Sequence, residues 1–301
     1  PPACREAEKM KVWSHRILLA FFWLSGFMTL AAVGTLLIFL FVRGTPSLSL
    51  ELIFGDAEPL RALFLRERVF DGLFPAIVGT TAVVILSVSW AIPVGIAAGI
   101  YLAEFSGGKL KKIFNFSFDI LAAIPSIVIG LFGLTAAIFL HQHFSDRIYP
   151  CLLISSVALA VLVLPYIVRT TQLSIEAVPH PMRAAGLSLG ASQLQNLYHV
   201  VLPRSVTGIL SGVILALGRA AEDTAVIMLT GVVATSGIPR SLLAKYEALP
   251  FYIYYISAEY TDQKELMTGF GAALILLTIC ALLFIAAHLL KNLLVRRLSK
   301  H

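Results

Sequence analysis

Charge is what this chain of 301 residues has little of. Asp, Glu, Lys and Arg make up 13% of it, about half the ~25% of an ordinary soluble domain. Instead 58% is apolar before its 21 glycines are counted, and mean hydropathy is +0.87. Folded in water, such a chain would show apolar patches that soluble monomers avoid. The same composition excludes disordered and collagen-like classes. Cysteine is scarce too: Cys4, Cys151 and Cys280 lie far apart, without the spacing of a disulfide framework or a metal-ligand set. A Gly-rich loop ending in Lys-Ser/Thr is missing, so nucleotide hydrolysis has no home here. The apolar segments hold no His/Glu/Asp ligand cluster and no Ser/His pair, which leaves an intramembrane enzyme without its chemistry. No cofactor is expected. What remains is an all-α, polytopic membrane protein.

Six apolar segments, 17–42, 75–103, 113–140, 148–168, 205–233 and 266–290, reach the ~20 residues that span a hydrocarbon core as helix. The first, second and fourth carry no charge; the third holds only Asp119, and the fifth holds Arg219, Glu222 and Asp223. The Pro1-Pro2 start without Met reads as a trimmed or incomplete N-terminus, and segment 17–42 is too long for the apolar core of a cleaved signal peptide.

The net charge of +6 reads as membrane topology rather than nucleic-acid binding. Cations gather in alternate connections: Arg5, Lys9, Lys11 and Arg16; Lys109, Lys111 and Lys112; Arg169, Arg183 and Arg204; Lys291, Arg296, Arg297 and Lys300. The opposite connections carry fewer: Arg43, Arg61, Arg66 and Arg68, then Arg147, then Arg240, Lys245 and Lys264. The positive-inside rule then places both termini in the cytoplasm. This divides the chain into a tail 1–16, a membrane domain 17–290 that includes a cytoplasmic segment 169–204, and a tail 291–301. Gly95-x-x-x-Gly99 and Gly208-x-x-x-Gly212 allow close helix approach, while Pro93, Pro125 and Pro165 fall inside spans and predict kinks. Tyr246, Phe251, Tyr252, Tyr254, Tyr255 and Tyr260 suit an interfacial aromatic belt. His288 is expected to snorkel.

Segment 169–204 is the most patterned. Pro179 and Pro181 suit entry into a helix; Met182, Ala185 and Leu189 form one stripe; Gly190 sits where the helix would end. Ser192-x-x-Gln195 is a capping-box signal for a second helix with the stripe Leu194, Leu197, Val201 and Pro203 at its end. Such a helix–glycine–helix element could rest on the bilayer, or seat as a rigid knob in a soluble partner.

Arg183-Ala184-Ala185-Gly186-Leu187-Ser188-Leu189-Gly190, followed after nine residues by Val200-Val201-Leu202-Pro203, resembles the E-A-A-x3-G-x9-I-x-L-P motif of ABC importer permeases. Ala184 replaces the motif's Glu and Gly186 its second Ala. Ala98-Gly-Ile-Tyr-Leu-Ala-Glu-Phe105, Ile124-Pro-Ser-Ile-Val-Ile-Gly-Leu-Phe132, Leu164-Pro-Tyr-Ile-Val-Arg-Thr-Thr171 and Gly218-Arg-Ala-Ala-Glu-Asp-Thr-Ala225 are similar to segments of phosphate ABC transporter permeases, the A-type subunit more than the C-type. Where that family usually has Gly-Glu-Thr, this chain carries Ala221-Glu222-Asp223-Thr224. The resemblance implies a type I importer permease of the bacterial inner membrane. Its implied partners are a second permease subunit, two copies of a cytoplasmic ATP-binding subunit, an extracytoplasmic phosphate-binding protein, membrane lipid and inorganic phosphate, with no nucleic acid. It also implies that Ala184, Ala185, Gly186, Gly190, Val200, Leu202 and Pro203 form the element that docks to the ATPase.

Arg219 is the costly residue: an arginine near a helix centre costs roughly 2.5–3.5 kcal/mol on insertion scales. Glu222 and Asp223, three and four residues on, can reach it along one face. The group is either a self-neutralised cluster that fixes the bundle or a switchable anion site. Guanidinium matches phosphate oxygens with paired donors and stays charged at all physiological pH. Arg169 reads as a positive-inside anchor or as the cytoplasmic mouth of the anion path, and Asp119 as a structural partner within the bundle. Permeation of sulfate or molybdate is the nearest alternative, because arginine recognises those oxyanions too. An ion-coupled secondary carrier with Glu222 and Asp223 as its sites is a more distant one.

Overall fold

The computed structural model describes residues 2–55, 72–144 and 149–298. Arg61, Arg66, Arg68 and Arg147, and the chain ends at 1 and 299–301 with Lys300, lie outside the described residues. The described residues are helical almost throughout, and among them six helices are long and apolar enough to cross a membrane.

Helix α1 (Pro2–Gly44) continues through a short 3-10 turn to α2 (Leu50–Phe54). Helix α3 (Phe74–Ile100) ends in a π-helical turn, Tyr101–Phe105. Helices α4 (Gly108–Ala123) and α5 (Ser126–His143) follow, then α6 (Leu152–Glu176). The projecting element is α7 (His180–Ser188) and α8 (Gln193–Asn196); the chain runs on through a π-helical turn, Leu197–Val201, into α9 (Leu202–Glu222). Helices α10 (Thr224–Thr230), α11 (Leu249–Glu259) and α12 (Gln263–Leu298) complete it.

Helix α6 is the axis, packed between α3 and α9. Both glycine pairs face it. A Cβ on Gly95 would stand 2.7 Å from Ile167 Cγ2, and one on Gly99 2.6 Å from Thr171 Cβ; on the other side Gly208 would meet Ser174 Cβ at 2.8 Å and Gly212 would meet Thr170 Cβ at 2.6 Å. Backbones therefore approach where side chains are missing, which is how helices gain contact in lipid. Val83, Val84 and Val88 of α3 meet Leu159, Val163 and Ile167 of α6, Ala216 and Ala220 of α9, and Val226 and Ile227 of α10 in one core.

Two spans depart from the sequence reading. Segment 113–140 is not one helix: it breaks at Ile124-Pro125, both extended, because proline disfavours helical geometry in the residue before it. Segment 205–233 breaks at Asp223, which is extended and accepts a hydrogen bond from Val226 N at 2.9 Å, so it caps α10. By contrast α3 and α6 run on as helix through Pro93 and Pro165.

Candidate anion path and coupling element

Arg219 sits in the last turn of α9, where a cation complements the helix dipole. Its Nη1 donates to Glu222 Oε1 at 2.7 Å, and its Nη2 lies 3.7 Å from Asp223 Oδ2. Asp223 is buried and already holds the α10 N-terminus with its other oxygen, whereas the Glu222 side chain is 63% exposed. The Arg219 Nε is buried with no hydrogen-bond partner. The guanidinium is thus paired but not saturated, and a buried unmet donor is a site for an acceptor to occupy.

Arg169 does not join that cluster. It lies on α6, and its Nη2 donates to Asp119 Oδ1 at 2.9 Å and Oδ2 at 3.0 Å, with Nε also reaching Oδ1 at 3.2 Å. Gly212 faces Thr170 and Gly208 faces Ser174, so Arg219 lies six residues beyond the level of Arg169, about 9 Å along the axis at 1.5 Å per residue. The two arginines stand one after the other between the broken end of α9 and the α7 end of the bundle. Asp119 is Arg169's partner from α4; Gln172 and Glu176 extend the same polar row.

The α7–α8 element has the shape expected from sequence, with one correction. Gly190 adopts φ +83, the left-handed region glycine favours. Ser192 and Gln195 form the capping box in both directions. Pro203, however, does not end the second helix: helix continues from Gln193 to Glu222. Pro203 stands in the first turn of α9, directly after the π-helical turn Leu197–Val201, a position where an N–H donor is not required. Ala184 and Ala185 are exposed, and Gly186, Val200, Leu202 and Pro203 are half-buried. A Cβ on Gly186 would strike Asn196 Oδ1, which explains why the motif's second Ala is absent: Asn196 occupies its space and donates to Arg183 O at 3.2 Å.

Spacing alone could not find the anchor of this element. Arg183 forms an ion pair with Glu104 from the π-helical turn after α3 and donates through Nε to Val178 O at 3.1 Å. Gln193 Nε2 reaches Glu104 O at 3.3 Å. Beneath them Ile175, Val178, Leu197 and Val201 form a small core with Ile100, Ala103 and Leu202. Leu187, Leu189, Leu194 and Tyr198 remain exposed on the element, Leu189 at 89%.

At the opposite end the aromatic belt needs correction. Tyr246 is fully buried: Val233 N donates to Tyr246 O at 3.0 Å, and the segment also feeds Ala244 O and Leu242 O to the first N–H groups of α6. Tyr254, Tyr255 and Tyr260 are exposed as expected. Glu247 accepts from Gly237 N at 2.6 Å; burial nevertheless pushes its carboxyl above the usual range. It lines a cavity of about 260 Å³ with Thr235, Phe251, Tyr252 and Tyr255. Among the described residues no group of three His, Cys, Asp or Glu side chains converges as metal ligands would.

Discontinuous spans around a central helix, with a helix–glycine–helix element at one end, define the fold of an ABC importer permease. The inward-facing MetNI methionine ABC transporter shares it, with a TM-score of 0.54 at 19% identity over 79% of this chain and 99% of that one. Residues 95–300 match the family described as binding-protein-dependent transport system inner membrane component, and the chain belongs to that family. It is therefore a multi-pass protein of the inner membrane. Two relatives are the phosphate transport system permease proteins PstA of Pasteurella multocida, 31% identical over 89% of this chain and 91% of the relative, and of Haemophilus influenzae, 30% identical over 90% and 92%.

Proposed function

We propose that the chain is the membrane-spanning permease subunit of an ATP-driven phosphate importer. The observation that carries the reading is the Arg219–Glu222 pair: a guanidinium inside a span, bonded to one exposed carboxylate and 3.7 Å from the buried Asp223, with a buried donor unmet. Phosphate near neutral pH brings oxygens that match such a fork, and Glu222 keeps the site from becoming a trap when the path is empty. The phosphate permeases among the relatives support phosphate over sulfate or molybdate.

In this reading Arg219, Glu222 and Arg169 lie along the anion path, which a second permease subunit completes. Both termini face the cytoplasm, with the permease domain over residues 17–290 between tails 1–16 and 291–301. Ala184, Ala185, Gly186, Gly190, Val200, Leu202 and Pro203 shape the coupling element within 169–204, whose exposed Leu187, Leu189 and Leu194 meet one of two cytoplasmic ATP-binding subunits. An extracytoplasmic phosphate-binding protein delivers the substrate. Uptake of labelled phosphate by the assembled transporter in ATP-loaded vesicles tests it. Arg219→Gln is expected to abolish uptake while ATP hydrolysis persists; uptake at the original rate would overturn the reading. Excess sulfate or molybdate should leave the rate unchanged.

A further inference from the structure

Helix α4 is attached to the bundle differently from its neighbours. None of its residues is buried, and the helix it packs against is α6. Its face toward the bundle is half-buried at Asn115, Phe118 and Leu121, and its named links across the contact are polar. At one end Lys111 Nζ lies 2.8 Å from Glu176 Oε1; at the other Asp119 takes Arg169 with both oxygens. Gln172 joins the two, accepting from Arg169 Nη1 at 3.4 Å and donating to Glu176 Oε1 at 2.9 Å. Lys111 and Asp119 are eight residues apart and Arg169 and Glu176 seven, about 12 and 10 Å along their helices. Cation meets anion at both ends in one antiparallel register only. The ends of α4 are hinged: Gly108 has φ +57 and neither Gly107 nor Gly108 has a neighbour within 4 Å of a Cβ, while Ile124-Pro125 is extended.

A stiff rod between two hinges, held by partly exposed ion pairs and a face that is only half-buried, can release without breaking a core. The ligand that releases it is specified by the latch itself. Asp119 presents two oxygens to the Arg169 fork, the geometry that a tetrahedral oxyanion also presents. We propose that α4 is a gate whose latch is Asp119: an anion moving on from Arg219 takes over Arg169, Asp119 is displaced, and α4 swings from α6. This rests on the phosphate-path reading above and adds to it the residue that closes the path. The exchange is one carboxylate for one phosphate on a guanidinium, with no bond made or broken beyond hydrogen bonds.

Spin labels on Phe116→Cys of α4 and Leu173→Cys of α6, both exposed positions, report the distance between the helices. The measurement is made on the assembled transporter in lipid nanodiscs, after serine replaces the native cysteines. At rest a short distance is expected to dominate over a small longer population. Phosphate with ATP and the binding protein should enlarge the longer one, and Asp119→Asn should raise it at rest about two- to fivefold, as loss of one partly exposed pair allows. The swap Asp119→Arg with Arg169→Asp should restore the resting distance yet stop uptake, because the α6 side of the seam then repels the anion. An unchanged distance in both turnover and Asp119→Asn overturns the gate and leaves α4 a fixed strut. Uptake in the same labelled background, with and without Arg219→Gln, separates the two ideas: Arg219-dependent uptake past an immobile α4 sinks the gate alone, whereas Arg219-independent uptake sinks the phosphate-path reading.

Discussion

Glu104 and Arg183 show what a single residue pair contributes when it is removed from water. Their side chains are less than a fifth exposed, and the arginine also serves two backbone carbonyls left over where α6 ends. Breaking such a pair strands a charge, so Arg183→Ala should destabilise the α7–α8 seat by on the order of 2 kcal/mol. Glu104→Gln, which keeps the shape, should lower transported anion per ATP hydrolysed without preventing assembly; thermal unfolding and a transport-to-hydrolysis ratio in vesicles read the two effects. An unchanged ratio in both variants would mean the ion pair has no part in coupling. The pair was invisible in sequence because it joins residues 79 apart, as Arg169 and Asp119 join across 50. The Arg219–Glu222 contact was legible because three residues on one helix fix the geometry locally. Asp223 looked equivalent to Glu222 by spacing, yet the backbone leaves the helix there and turns its carboxylate into a cap.

Elements were legible where pattern and packing agree. The capping box at Ser192 and Gln195, the positive φ of Gly190 and both glycine pairs follow from short-range rules, since each depends on backbone geometry or close approach. The interruption at Pro125 follows from the proline, which predicts a kink there, although the chain leaves the helix altogether; the break at Asp223 was not foreseen, because hydropathy continues across it and says nothing about backbone continuity. Pro203 misled in the opposite direction: a proline that reads as a stop is also at home in a first turn. Glycine packing gives a test at this scale. Gly212→Ala places a methyl against Thr170 and should cost about 1–3 kcal/mol, the usual range for overpacking. Gly26→Ala in α1 meets nothing within 4 Å and should be neutral. Melting curves of the two variants in one detergent compare them directly, and equal midpoints would show that α6 and α9 do not approach as closely as the structure has them.

For the whole molecule, composition sufficed to assign the class and the number of spans, because the oil-like excess has no other home. It could not say which spans form the core. Helix α6 is the most enclosed and α1 the least: none of α1's most apolar window is buried, and the family match begins at residue 95, beyond it. Among the described residues α1 packs chiefly on α12, with Phe39 against Phe270 at ring centroids 5.7 Å apart and Gly44 beneath Leu274. An apolar surface bared by removing α1 would meet lipid tails, which are as apolar as the helix it loses, so no hydrophobic penalty follows. The loss reduces to an aromatic pair and local packing, about 1 kcal/mol. Deleting residues 1–43 should therefore lower the unfolding midpoint of the remaining chain by only about 2–4 °C, measured in the detergent used for the full chain. A fall of tens of degrees would place α1 inside the cooperative unit and refute a core organised around α6.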